Sequence, residues 1–230
     1  AMRLPLSPIP RDQALRYAGW QGSALPPELE ALLQDCIHAL EACCTPRYVW
    51  RRLPLVREDG MLSAGGLILP GRALPALLED CKSCVSFALT LGDAPEGLIR
   101  RASVTDRTRA LLLDACASAA CEQSCDDLQA LLAGQFQKEG LFVTDRYSPG
   151  YGDLPLTLQP QLLSLLDAAR QIGLTLTDTC LMTPRKSVTA LFGLSGRPPA
   201  RHASGCQSCS LKETCSYRKA GISCRSRSGS

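Results

Sequence analysis

A chain of 230 residues that is 45% hydrophobic and 20% charged, with mean hydropathy near zero, has the composition of a soluble globular protein with room for a sizeable core and a small appendage. No uninterrupted apolar run approaches the ~18 residues of a membrane helix, and Arg3 to Pro10 holds prolines rather than a leader, so Met2 reads as the native start, behind an added Ala1, of a cytoplasmic protein. Net charge is +3 but unevenly placed: residues 201–230 carry six basic residues against Glu213, a local +5 that leaves −2 elsewhere, so the body is not a nucleic-acid-binding surface by charge.

Pro26 and Pro27 open an amphipathic helix in which Leu29, Leu32, Leu33, Cys36, Ile37 and Leu40 recur at helical spacing. Arg47 to Val56 reads as a strand, Gly65 to Leu69 as a second ending at Pro70, Leu74 to Leu78 as a short helix, and Val85 to Leu91 as an apolar strand ended by Gly92. Thr105 or Asp106 then caps the longest helix, running to about Gln137; its small-residue middle, Asp114 to Ala120, suits close packing at the centre of the fold. A Gly/Pro-rich loop spans Ser148 to Pro155, Gln159 to Ile172 reads as one helix, and Thr175 to Met182 and Ser187 to Leu194 as two strands. Hairpin-like strands and segregated helices predict an α+β fold with a mixed or antiparallel sheet, in a body of residues 1–196 followed by a linker and tail at 197–230.

The 13 cysteines fall into three groups. Cys36, Cys43, Cys44, Cys116, Cys121, Cys125 and Cys180 lie in apolar or helical patterns and read as small core hydrophobes. The tail instead reads Cys206-x₂-Cys209-x₅-Cys215-x₈-Cys224, in a segment too poor in apolar residues to form its own core. A Cys-x₂-Cys pair brings two thiolates to one metal from a single turn, and the other two complete a set that either a 4Fe–4S cluster or zinc accepts. Cys81-x₂-Cys84 reads more simply as two buried thiols at an element boundary, or as a source of a missing ligand.

Arg146-Tyr147-Ser148-Pro149-Gly150-Tyr151-Gly152 is the most informative stretch. Its two glycines allow positive φ, Arg146 offers a fork of donors to a carboxylate, and Tyr147 and Tyr151 offer aromatic faces to a base or a cation. By itself this loop predicts either a small-ligand site or an ordinary connection. The Arg146-x-Ser148-Pro149-Gly150-Tyr151 run, with Met182-x-Pro184-x-Lys186-Ser187-Val188-Thr189, Thr90-Leu91-Gly92 and the helix text Asp114 to Glu122, resembles the activation domain of cobalamin-dependent methionine synthase. The resemblance implies that the loop binds S-adenosylmethionine, with Arg146, Ser148, Gly150 and Tyr151 at family positions that meet the ligand and Glu122 matching an acidic residue on the central helix. Two departures stand out: the paired tyrosines that follow the Ser-Val strand in the family are missing here, and an acidic residue near the family's N-terminus has no placed match.

The resemblance further implies a stand-alone subunit that reactivates cobalamin bound by a methionine synthase partner. Dead cob(II)alamin needs one electron and one methyl cation; S-adenosylmethionine gives the methyl group, and a donor such as flavodoxin or ferredoxin gives the electron, relayed through the tail cluster if it is iron–sulfur. Placement of the methyl group over cobalt is the protein's task, so no catalytic side chain is expected. Two rivals are an S-adenosylmethionine-sensing regulator whose tail is a zinc knuckle that docks a partner, and a plain redox carrier for corrinoid proteins.

Overall fold

The computed structural model describes residues 2–20 and 24–198. In chain order the elements are β1 (Met2–Arg3), α1 (Arg11–Tyr17), α2 (Pro27–Glu41), β2 (Arg47–Glu58), β3 (Met61–Ala64), β4 (Leu67–Ile68), α3 (Ala73–Leu77), β5 (Cys81–Thr90), α4 (Ala94–Thr105), α5 (Arg107–Gln137), β6 (Phe142–Val143), α6 (Gln159–Leu166), α7 (Ala168–Ile172), β7 (Thr175–Leu176), β8 (Met182–Thr183) and β9 (Ser187–Ser195). The main sheet runs β4-β3-β2-β5-β9-β6, with β1 added beside the start of β2. Every pairing in it is antiparallel, as the sequence predicts for an α+β fold.

Central β5 is buried along its length except at Lys82. Its side chains alternate between two cores, as the pleat requires. Val85, Phe87 and Leu89 join Ala190, Phe192 and Leu194 of β9 against α1, α2 and α5. Cys84, Ala88 and Leu191 face the other way, toward α3, α6 and α7. Helices therefore cover both faces of an antiparallel sheet.

The cap of α5 is local chemistry read correctly from sequence: the Asp106 carboxylate accepts from the Arg109 backbone N–H at 2.9 Å. In the middle of the helix Ala115, Cys116, Ala117, Ala119, Ala120 and Cys121 are buried, and only the stripe of Asp114, Ser118 and Glu122 is half-buried. Small side chains are what allow a helix to pack at once on a sheet and on other helices, and enlarging one would cost ~1–3 kcal/mol by overpacking.

Three expectations are corrected. The helix expected over Gln159–Ile172 is two, because Asp167 adopts a left-handed conformation (φ +52°) between α6 and α7. The strand expected over Thr175–Met182 is a hairpin, with β7 paired to β8 across a turn. The strand expected from Val85 begins at Cys81, so Cys81 opens β5 at the element boundary and Cys84 lies within the strand, both buried. A register irregularity between Cys81 and Ser83 lets residues three apart face the same core. Burial pushes the Cys84 thiol up to about 12 and raises Cys81 as well, so neither supplies a ready thiolate. The nine described cysteines are free thiols; seven are buried, and Cys43 and Cys180 are half-buried.

Candidate functional site

The chain reaches its Gly/Pro-rich loop along the edge of the sheet. Beside β9, Phe142 and Val143 pair with Ser195 and Leu194. Thr144 then receives the Gly193 N–H on its hydroxyl at 2.8 Å, and Tyr147 exchanges two backbone bonds of 2.8 Å with Leu191. Register is thereby fixed up to the residue before Ser148. The loop closes on itself: Tyr151 N–H donates to the Ser148 carbonyl at 3.2 Å, Leu154 to Tyr151 at 3.0 Å, and Gly150 to Leu154 at 2.8 Å. Gly150 and Gly152 both take the positive φ expected of them, +90° and +53°.

Residues of this loop face two ways. Tyr147 packs beneath it against the α3–α6 core, Pro149 is buried, and a side chain at Gly152 would overlap the Tyr147 hydroxyl. Asp153 ties the loop to the start of α3, accepting from Arg72 N–H at 2.5 Å and Ala73 N–H at 3.3 Å. These backbone donors hold the Asp153 carboxyl below the usual carboxylate range. Arg146 turns the other way, onto α5. Its Nη2 donates to Glu122 Oε2 at 2.7 Å, and its Nη1 to Asp126 Oδ1 at 2.5 Å and Gln129 Oε1 at 3.3 Å. Tyr151 stands out at the loop tip, 67% exposed.

Two of the expected ligand residues, Arg146 and Glu122, thus meet directly. Ser148 and Gly150 shape the turn that carries Tyr151, while Tyr147, Pro149 and Gly152 support it from below. Sequence reasoning missed Asp126, Gln129 and Tyr17. The first two share a helical face with Glu122, at four and seven residues' spacing, which was the available signal. Tyr17 closes α1, which packs on α5, and its phenol is pushed up to about 12 by burial and by the nearby charges of Glu122 and Tyr151. A guanidinium, two carboxylates and two accessible phenols suit a ligand that bears opposite charges and an aromatic group.

The second motif is structural. Lys186 Nζ lies 2.8 Å from Asp114 Oδ1 and donates to Ser118 Oγ at 2.9 Å, locking the approach to β9 onto α5. Cys206, Cys209, Cys215 and Cys224 lie outside the described residues. Among the described residues, no group of three or more His, Cys, Asp or Glu is placed to hold a metal, so Cys81 and Cys84 build no such site there. No described helix is long and apolar enough to cross a membrane.

The fold is thus an antiparallel sheet covered by helices on both faces, with a Pro-Gly-Tyr loop whose Arg146 is tied to the long central helix. Among solved structures, the crystal structure of the MetH reactivation domain bound to AdoHcy superposes with a TM-score of 0.64 over 97% of this chain and 86% of that one, at 16% identity. The family model for the vitamin B12 dependent methionine synthase activation domain matches residues 121–202, which hold the second half of α5, the loop and β9. Over that stretch the chain is similar to this family. No curated protein matches the chain significantly.

Proposed function

We propose that this chain binds S-adenosylmethionine at the 146–152 loop and donates its methyl group to cobalamin held by a methionine synthase partner in the cytoplasm, acting in trans. The observation that carries the reading is the Arg146–Glu122 pair set beside an exposed Tyr151 at the family's loop. The ligand's α-carboxylate and α-ammonium suit the guanidinium and the carboxylate, and its adenine or sulfonium suits the aromatic face. An open site also suits the chemistry, because the sulfonium methyl must be presented to a cobalt on another molecule. One electron converts cob(II)alamin to cob(I)alamin; its cobalt attacks the methyl carbon, the carbon–sulfur bond breaks, and methylcobalamin and S-adenosylhomocysteine result. The electron comes from a donor such as flavodoxin or ferredoxin.

Calorimetry with S-adenosylmethionine and S-adenosylhomocysteine tests the reading. Saturable binding of both supports it, and no binding of either ends it.

The tail is the second part of the proposal. Its four thiolates, Cys206, Cys209, Cys215 and Cys224, form a donor set that fits a 4Fe–4S cluster or zinc, and a cluster would supply a relay for the electron. Anaerobic reconstitution with iron and sulfide is expected to give about four irons per chain and a reducible paramagnetic signal, both lost in Cys209→Ser. Uptake of stoichiometric zinc alone would remove the relay.

A further inference from the structure

Arg146 already serves three acceptors before any ligand arrives, two through Nη1 and one through Nη2. Glu122, Asp126 and Gln129 stand in a row on α5, and all three accept from its guanidinium. Two carboxylates against one guanidinium leave the row with an excess negative charge. The three acceptors are not equivalent. Gln129 is itself fixed, donating from Nε2 to the Thr144 carbonyl at 2.9 Å on the segment that leads into Arg146. The Nη1 side, held by Asp126 and Gln129, is therefore part of a closed ring of bonds between helix and loop. Glu122 holds Nη2 alone, and among the described residues it makes no other hydrogen bond. Its side chain is 33% exposed, which leaves it room to move.

We infer that Glu122 is an exchangeable stand-in for a ligand carboxylate, and that Asp126 is the positioning residue that keeps Arg146 in place during the exchange. The inference rests on the proposed function and deepens it. An α-amino acid end brings one carboxylate and one ammonium. The carboxylate takes Nη2 from Glu122, and the released Glu122 takes the ammonium. One internal ion pair becomes two intermolecular ones, Asp126 stays on Nη1, and the net charge of the row is unchanged. A ligand with the carboxylate alone would strand Glu122 beside Asp126, four residues away and of like charge. A ligand with the ammonium alone would leave the Arg146–Glu122 pair closed. The site therefore selects for both charges on one molecule, which an arginine standing free could not do.

The test uses the full chain, calorimetry and two ligands: S-adenosylhomocysteine, and its deaminated analogue in which hydrogen replaces the α-ammonium. Glu122→Gln is expected to weaken S-adenosylhomocysteine roughly 10- to 100-fold through loss of the charged partner. The same substitution is expected to strengthen the deaminated analogue relative to the parent chain, because Arg146 Nη2 is no longer held by a competing charge. Asp126→Asn should weaken both ligands in parallel. Glu122→Ala, checked by its melt, should reproduce the opposite signs. A Glu122→Gln variant that weakens both ligands alike, or changes neither, overturns the exchange while leaving the proposed function standing. A parent chain that binds neither ligand ends both.

Discussion

Tyr147 and Tyr151 stand four residues apart in one loop and meet opposite surroundings. Tyr147 is bridged to β9 by two backbone bonds, and its ring lies under the loop, so close to Gly152 that no side chain fits there. Tyr151 is 67% exposed and shares its electrostatic neighbourhood with Glu122 through Tyr17. The same contrast separates Asp153, which is tied to the start of α3, from Arg146, which is tied to α5. One run of motif letters thus contains two jobs. Its inner residues hold the loop's shape, and its outer residues present chemistry. Substitutions in the two sets should therefore fail in different assays.

The largest expected effect falls on the outer set. Arg146→Ala should cost ~1.5–3 kcal/mol in affinity for S-adenosylhomocysteine, the range for hydrogen bonds to charged groups. Arg146→Lys should recover little, since an ammonium cannot match a planar fork already serving three acceptors. Undiminished binding in calorimetry would move the ligand away from α5. On the inner set, Gly152→Val places a β-branched residue at φ +53° against the Tyr147 hydroxyl, and should cost ~1–3 kcal/mol of stability in denaturant melts. Tyr147→Phe in the same background should recover part of that loss. A Gly152→Val protein that melts like the parent would show that the two residues do not depend on each other.

How much of this was legible depends on how local the physics is. The Asp106 cap, the α2 stripe from Leu29 to Leu40 and the dense small-residue centre of α5 were readable, because caps and periodicity act over a few residues. The break at Asp167 was not, since a positive φ at a residue other than glycine leaves no mark in the sequence. Short α1 has Pro10 at its cap and no side-chain capping bond, and α4 buries little beyond Pro95 and Ala102, so neither announces itself. At the site, the Arg146, Gly150 and Tyr151 letters were visible as a motif. That Arg146 would be answered by Glu122 and Asp126, 24 and 20 residues earlier, is decided by tertiary packing alone.

Tyr151→Ala sharpens the contrast at smaller scale. The ring covers little of the fold, so stability should stay within about 0.5 kcal/mol of the parent chain, as for most exposed positions. Affinity for the ligand should fall by about 1 kcal/mol or more if the ring stacks on the adenine or faces the sulfonium. A drop in melting temperature with unchanged affinity would assign Tyr151 to the inner set, and the division drawn here would collapse.

Asp153 gives the smallest effect and the most specific one, because it is a matter of pH. Its carboxylate is held below the usual range first by the Arg72 backbone N–H, with Ala73 adding to it. A group whose folded value is depressed adds stability while it is ionised in the folded state. That contribution is complete above the ordinary carboxylate value of about 4. It is lost as pH falls from there through the lower folded value, where the proton goes on in both states. Asp153→Asn keeps the shape but removes the charge, and its amide can still accept from Arg72 more weakly. The stability difference between the parent chain and Asp153→Asn should therefore be flat from neutral pH down to about 5, and shrink below about 4. Glu30 and Asp167 also titrate low, beside Arg11 and Arg170, but they act equally in both proteins and cancel in the difference. A gap that persists at the acid end would mean that the loop is pinned by the shape of residue 153 and not by its charge at the start of α3.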